Sequence, residues 1–340
     1  MRAKIAGTGS YVPEKVLTNK ELESMVDTTD EWITTRTGIR ERRIAVSESS
    51  TDMAVHAAER ALKSAGVSAA DIELVVVGTV TPEMTFPSTA CFVQSRLGIK
   101  SGVPAFDLSA ACSGFLYALD VAEKYIVSGI VKRALVIGVD RFSEIIDWTD
   151  RSTCVLFGDG AGAVVLSGTK GKSGIMASNI HSDGRKWDML YAPGKGRCPF
   201  GKENAKKDSD KTESAKKESA EKETPPYLAM SGNETFKVAV RTMVASIKEA
   251  LKAAKVSADD VKLLIPHQAN QRIIEATRQR LKLPKERLFM NLDKYGNTSA
   301  GSIPIALDEA YRQGRIKRGD IILFVAFGGG LTWSSAALRW

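Results

Sequence analysis

Three side chains in this sequence could together attack and polarise a carbonyl, and none of them signals that chemistry alone. Cys112 stands in Asp107-Leu108-Ser109-Ala110-Ala111-Cys112-Ser113-Gly114-Phe115, a run of tiny residues holding one thiol. Gly102 to Phe106 before it reads as a buried strand. Ala118, Leu119, Val121, Ala122, Tyr125 and Ile126 after it fall at helical spacing. The thiol is therefore expected at the first turn of a helix, where unpaired N–H groups and the positive dipole end make a cysteine ionise more readily. Tiny neighbours and Gly114 leave a carbonyl room to approach. A small buried core cysteine would satisfy the same run. The other two side chains are His267, in Pro266-His267-Gln268-Ala269-Asn270, and Asn297, in Gly296-Asn297-Thr298-Ser299-Ala300. Taken singly, they read as a structural histidine and a turn residue.

What unites them is a repeat. Ala61-Leu62-Lys63-Ser64-Ala65-Gly66-Val67-Ser68-Ala69-Ala70-Asp71-Ile72-Glu73-Leu74 lines up with Ala250-Leu251-Lys252-Ala253-Ala254-Lys255-Val256-Ser257-Ala258-Asp259-Asp260-Val261-Lys262-Leu263. Ala118-Leu119-Asp120 followed by Gly129 to Arg133 is echoed by Ala306-Leu307-Asp308 followed by Gly314 to Arg318. Each copy is expected to close in a glycine-rich hairpin, Gly158 to Leu166 and Gly328 to Leu338. On this alignment Cys112 corresponds to about Ala300. The end of the strand at Leu74 corresponds to Leu264 through Asn270. Cys112, His267 and Asn297 then sit just beyond strand ends that a pseudo-twofold brings to one surface, where open α/β sheets place ligands.

The elements that must position these groups follow from pattern. Lys4 to Pro13 reads as a short strand ending in a turn at Gly7 and Gly9. Thr51 to Gly66 is an amphipathic helix capped by Ser50 or Thr51. Asp71 to Gly78 is a continuous apolar run of the buried-strand type. Thr89 to Leu97 is a helix, Arg133 to Val139 a strand, and Thr153 to Ser167 β-rich. Strands alternating with helices predict a mainly parallel, helix-covered sheet. Residues 201 to 224 hold seven Lys and seven Asp or Glu, with no large apolar residue after Phe200. Such a stretch cannot bury enough surface to offset its ordering entropy, so about 195–226 is expected to be a disordered surface insertion.

Composition narrows the classes. Hydrophobic content of 43% and charged content of 26% are those of a soluble globular chain. No apolar run approaches the ~20 residues of a membrane span, and no secretory segment is expected at the start. Cys91, Cys112, Cys154 and Cys198 form no CxxC pair or disulfide framework, which places the chain in a reducing cytoplasm. Three scattered histidines offer no metal cluster. The net charge of +8 fits an acidic partner or phosphorylated ligand, and aromatics of 7% without a dense basic cluster argue against nucleic acid. Trp32 is either a buried anchor or a platform for a planar base.

The four segments around Cys112, His267, Asn297 and Ala326-Phe327-Gly328-Gly329-Gly330 closely resemble β-ketoacyl-acyl carrier protein synthase III, a thiolase-fold family that starts type II fatty acid synthesis. The resemblance implies an α/β thiolase-like fold of two pseudo-twofold-related βαβ-type halves in α/β/α/β/α layers. Residues 1–172 would carry the nucleophile and 173–340 the His and Asn. It implies that Cys112 is acylated by acetyl-CoA or another short acyl-CoA, with the N–H groups of Cys112 and Gly329 as oxyanion hole. His267 and Asn297 would then support decarboxylative condensation with malonyl-acyl carrier protein. No cofactor is implied. By the same resemblance Trp32 and Arg151 sandwich the adenine of CoA, and Arg36, Gly232 and Asn270 contact it elsewhere. Gln268, Ala269, Asn270, Gln271 and Arg272 form the carrier-protein loop, with Lys237 and Arg280 completing a basic dock. Phe86 reaches the acyl pocket across a homodimer. Two rivals are a related synthase using another starter in polyketide or alkylquinolone assembly, and a cysteine hydrolase.

Overall fold

The computed structural model describes residues 1–194 and 227–340, so the charged insertion expected at 195–226 lies outside the described residues. Strands β1 (Arg2–Tyr11), β2 (Val75–Gly78), β3 (Ala105–Leu108), β4 (Arg133–Arg141) and β5 (Asp159–Thr169) form one sheet in the order β1-β5-β4-β2-β3. Strands β6 (Gly174–Ser182), β7 (Val261–Pro266), β8 (Ile321–Gly328) and β9 (Thr332–Arg339) form a second in the order β7-β8-β9-β6. β3, β2 and β4 run parallel and are followed by antiparallel β5 and β1. β7 and β8 run parallel and are followed by antiparallel β9 and β6. A parallel bridge from Leu264 to Leu288 stands beside β7, just as β3 stands beside β2. Both sheets thus follow one strand plan, as the duplicated sequence requires.

The helices that matter for the site are α1 (Asp30–Thr37), α2 (Ser50–Ala65), α3 (Thr89–Arg96), α4 (Gly114–Val127), α5 (Gly232–Ala254), α6 (Gln271–Arg280) and α7 (Ser302–Arg312). α4 and α7 lie between the sheets. There Phe115, Leu119, Ile303 and Leu307 join Val76, Val136, Ile265 and Phe324 in one buried cluster. α2 and α3 cover the outer face of the first sheet, with Met53 and Val93 against Val77 and Ile137. α5 and α6 cover the second, with Ile247 and Ile274 against Leu264 and Val325. This is the α/β/α/β/α layering that the resemblance implies. Strand residues alternate between faces, and both faces are covered, so the strand runs are apolar throughout. Each large apolar side chain buried this way contributes about 1.5–3 kcal/mol, which fixes α4 between two sheets more firmly than helix propensity could. No helix among the described residues is long and apolar enough to cross a membrane.

The mainly parallel sheet expected from the strand–helix alternation is corrected to two mixed sheets, and three local expectations are corrected with it. β1 runs through Gly7 and Gly9 instead of ending there. A Cβ on Gly7 would lie 2.3 Å from Ala65 N, and one on Gly9 2.3 Å from Ala57 O, so these glycines let α2 pack against the strand. The cap of α2 is Ser49, whose side chain accepts from Asp52 N while Asp52 accepts from Ser49 N. Only the second half closes in a tight hairpin, between β8 and β9. In the first, β4 and β5 are joined through residues 142–158, which hold helical turns at Phe142–Glu144 and Arg151–Cys154.

Candidate active site

Cys112 follows β3 through a sharp backbone turn. Ala111 adopts φ +45°, Ala111–Ser113 form one 3-10 turn, and α4 begins at Gly114. The second half builds the same elbow: Ser299 adopts φ +49°, Ser299–Gly301 form a 3-10 turn, and α7 begins at Ser302. Left-handed backbone at a residue with a Cβ costs on the order of 1–3 kcal/mol and persists only where packing enforces it. Here the elbows enforce each other, since a Cβ on Gly114 would lie 3.3 Å from Ala300 Cβ. Ala111 thus matches Ser299 and Cys112 matches Ala300, the register read from the sequence.

The thiol is 5% exposed. Burial pushes it up to about 12; the Ser299 hydrogen bond pulls the other way, and the Asp140 charge adds to the rise. The easier ionisation expected at the helix start is therefore not what the free site shows: burial raises the thiol. Ser299 Oγ donates to Cys112 Sγ at 3.5 Å. Asp140, at the end of β4, is fully buried, and burial raises its carboxyl above the ordinary value.

His267 follows the last residue of β7, and its N–H donates to Val325 O of β8 at 2.8 Å. Its Nδ1 lies 2.6 Å from Ser302 Oγ, which also accepts from Gln268 N at 3.3 Å. A Ser302 hydroxyl donating to Nδ1 leaves Nε2 as the N–H of the neutral ring. Burial lowers the imidazole pKa to about 3, so it is neutral at working pH. Asn297 Oδ1 accepts from Ser299 N at 2.9 Å, which leaves the amide NH2 as the free end. Its backbone is pinned by Asn297 N to Leu156 O at 2.8 Å and Gly158 N to Asn297 O at 3.0 Å. Cys112, Ser299 and Asn297 are therefore one hydrogen-bonded chain, and His267 is tied through Ser302 to the start of α7.

The glycine run after β8 abuts the nucleophile's backbone. A Cβ on Gly328 would lie 2.7 Å from Cys112 N. Thr332 Oγ1 donates to Ala110 O at 2.9 Å and lies 3.1 Å from Gly329 O, bolting the Gly329 turn to the cysteine elbow. A cavity of about 650 Å³ opens over Cys112 and is walled by Phe142, Phe157, Leu190 and residues 80–85. Phe86 does not line it and is 82% exposed, so an acyl-pocket role requires a second chain.

Four of the five expected nucleotide contacts, Trp32, Arg36, Arg151 and Asn270, cluster at α1. The guanidinium carbons of Arg36 and Arg151 lie 4.7 and 4.9 Å from the Trp32 ring centroid. A planar base between Trp32 and Arg151 needs about 7 Å, two van der Waals gaps, so the sandwich is closed here. Arg151 Nη1 instead donates to Asp27 O at 2.6 Å. Asn270 caps α6 by accepting from Arg272 N at 2.8 Å and donates to Arg36 O at 3.2 Å. Gly232 is exposed at the start of α5. Among the carrier-loop residues, Gln268 is corrected: it is 1% exposed, donates to Pro266 O at 2.7 Å and accepts from Asn291 N at 3.1 Å. Its amide braces the loop from inside and offers nothing to a partner. Ala269 is half-buried and Gln271 packs on Gly38. Arg272 lies over Phe236 of α5, 5.6 Å from the ring centroid, beside exposed Lys237. Exposed Arg280 is two turns further along α6, ~12 Å away.

Sequence patterns missed Asp140, Ser299 and Ser302. Asp140 was visible as a lone acid ending the apolar run Ala134–Val139, and the two serines as hydroxyls flanking the position equivalent to Cys112.

The comparisons agree along the chain. Models described as 3-oxoacyl-[acyl-carrier-protein] synthase III match residues 106–184, and that family's C-terminal model matches residues 251–340. A β-ketoacyl-[acyl-carrier-protein] synthase III of Alkalilimnicola ehrlichii is 52% identical over 342 residues, covering 99% of each chain. The crystal structure of 3-oxoacyl-[acyl-carrier-protein] synthase III from Aquifex aeolicus superposes with a TM-score of 0.89 at 50% identity, covering 99% of this chain and 100% of that one. A priming β-ketosynthase of the R1128 polyketide pathway is more distant, at 35% identity and a TM-score of 0.87 over 99% of this chain and 96% of that one. With half its residues shared along its whole length, and with the thiolase-like fold of these relatives, the chain belongs to the β-ketoacyl-acyl carrier protein synthase III family of condensing acyltransferases.

Proposed function

We propose that Cys112 takes an acetyl or other short acyl group from an acyl-CoA, and that the acyl-enzyme condenses with malonyl-acyl carrier protein to give a β-ketoacyl-acyl carrier protein. The single observation that carries this reading is the hydrogen-bonded chain from Cys112 through Ser299 to Asn297, between matched elbows of the two halves. In the first half-reaction Sγ attacks the thioester carbonyl, the thiol proton leaves with the CoA sulfur, and the acyl group stays on Cys112. The N–H groups of Cys112 and Gly329 receive the developing oxyanion; the Thr332 bolt between their two loops supports that assignment. In the second, His267 Nε2–H and the Asn297 amide donate to the malonyl thioester oxygen while carbon dioxide leaves. The resulting enolate attacks the acyl carbonyl. Two neutral donors suit a charge that exists only in transit, because neither has to be desolvated as an ion.

Around this centre, Trp32, Arg36, Arg151, Gly232 and Asn270 hold the CoA nucleotide once Arg151 swings off the tryptophan. Lys237, Arg272 and Arg280 meet the acidic carrier protein, with Ala269 and Gln271 at its edge. Phe86, exposed beside the cavity wall, completes the acyl pocket of a second copy in a homodimer. The chain divides as 1–172 with the nucleophile and 173–340 with the donors, no cofactor takes part, and the enzyme works in the cytoplasm. The test separates the half-reactions. Cys112→Ala should lose acyl transfer from acetyl-CoA, read by intact-protein mass. His267→Ala and Asn297→Ala should still acylate but lose malonyl decarboxylation. Equal loss of both half-reactions in the latter pair overturns the division of labour, and release of free acid without a carbon–carbon bond would favour a hydrolase.

A further inference from the structure

The left-handed turn before α7 has no need of a serine. Ala111 occupies the equivalent place before α4 with nearly the same φ, +45° against +49°. The hydroxyl of Ser299 therefore answers to its surroundings. Its Oγ donates to Cys112 Sγ at 3.5 Å and, among the described residues, is the one side chain that does so. On its other side lies Asp140. Asp140 Oδ1 accepts from Val80 N at 2.8 Å, Thr81 Oγ1 at 3.0 Å and Thr79 Oγ1 at 3.2 Å; Oδ2 accepts from Ala300 N at 3.1 Å, the amide next to Ser299. Ser299 also interacts with this carboxylate, favouring its charged form. One hydroxyl proton thus faces two acceptors, a fully buried carboxylate and the reactive sulfur.

We propose that Ser299 is a donor shared between Asp140 and the Cys112 sulfur, giving the sulfur only its long 3.5 Å hydrogen bond while it is a thiol and tightening onto it whenever it becomes a thiolate. This rests on Cys112 being the acylated nucleophile. The sulfur is anionic twice per cycle: as it attacks the acyl-CoA, and again when the enolate displaces it from the acyl group. No O–H bond breaks. In the first step the S–H proton leaves with the departing CoA as its thiol, and after the second the thiolate regains a proton from water. A neutral sulfur is a weak acceptor beside a carboxylate; a buried thiolate is a strong one, and hydrogen bonds to buried ions are about twice as strong as neutral ones. Ser299 therefore strengthens its bond to the sulfur only when charge appears there, which makes it a catalytic residue for both steps.

The test is the rate of Cys112 alkylation by iodoacetamide in the full chain between about pH 7 and 9, located by peptide mass. Among the described residues, Asp140 acts on this sulfur through its charge, Glu83 and Glu144 line the same cavity, and His267 is neutral; all are unchanged in the variants. Ser299→Ala should displace the log-rate line about one pH unit to the alkaline side, a roughly tenfold loss at each pH. Acylation by acetyl-CoA should slow in parallel. Condensation with malonyl-acyl carrier protein should slow as well, because the sulfur departs as a thiolate in that step. Ser299→Gly, which suits the left-handed backbone, should behave the same and guards against a folding defect. An undisplaced line in either folded variant overturns the proposal. Wild-type protein that is never acylated at Cys112 overturns the nucleophile assignment instead, and the two failures are told apart by that control.

Discussion

A buried neutral histidine makes a measurable claim on stability. His267 is 3% exposed, and burial takes its pKa from the ordinary 6.5 down to about 3. Between these values the unfolded chain binds a proton at this site and the folded chain does not, so stability must fall as pH falls. The contribution is whole above pH 6.5, erodes below it, and is exhausted only near the folded pKa. At pH 5 the ordinary imidazole is almost fully protonated, and 1.5 pH units at 1.36 kcal/mol per unit give about 2 kcal/mol of lost stability relative to pH 8. His267→Gln keeps a neutral hydrogen-bonding side chain and has nothing to titrate. Urea unfolding of both proteins at pH 8 and pH 5 should therefore show the wild type losing about 2 kcal/mol more than the variant across that interval. All other titrating groups are common to both and cancel. The same neutrality predicts a malonyl decarboxylation rate with no acid limb from His267 near pH 6.5. Equal pH sensitivity of the two proteins, or a His267 ring that titrates between pH 6 and 7 in the folded enzyme, would refute a neutral donor.

Other outcomes follow from the same geometry. Gly328→Ala sets a methyl 2.7 Å from Cys112 N against backbone that cannot yield, so acylation should be lost and stability should drop by about 1–3 kcal/mol in thermal unfolding. Arg151→Ala and Trp32→Ala should raise KM for acyl-CoA about tenfold with little change in malonyl decarboxylation; an unchanged KM removes them from the nucleotide site. Asp27→Ala, which frees an exposed Arg151 of a 3.8 Å ion pair, should lower that KM by less than a factor of about 5, since exposed pairs are worth under ~1 kcal/mol. Changing Lys237, Arg272 and Arg280 together to Glu should weaken use of malonyl-acyl carrier protein by roughly 1–3 kcal/mol and flatten its salt dependence. Acylation by acetyl-CoA should change far less, and equal loss of both would show that this surface is not the dock.

The doubled fold was legible because helix, turn and buried strand recur in like order, and that order is what positions strand ends. Local turns were less so. Gly7 and Gly9 suggest a turn when read along the chain, yet their meaning comes from α2, more than forty residues away, whose backbone occupies the space a Cβ would need. The hairpin expected from Gly158 to Leu166, which from Asp159 on is one continuous strand in β5, failed for a related reason. The segment 142–158 carries both Arg151, stacked on Trp32, and the strip at Leu156–Gly158 that holds Asn297, so a tight turn would have no room for either task.

The site shows the same boundary between what neighbours in sequence determine and what neighbours in space determine. Cys112 at a helix start, and its partnership with His267 and Asn297, could be read from motif and repeat. The state of the thiol could not. It is set by burial, which raises it, with a further rise from the charge of Asp140 on a different strand. Gln268 fails in the opposite direction: it sits between His267 and the loop residues that do face outward, but its amide is consumed by Pro266 O and Asn291 N. Ser299 is the sharpest case. The repeat identifies it as the counterpart of Ala111, which makes its hydroxyl an unexplained difference between two otherwise matched elbows. Only the fold, by folding one half's elbow onto the other's, sets that difference against the sulfur and gives it a consequence.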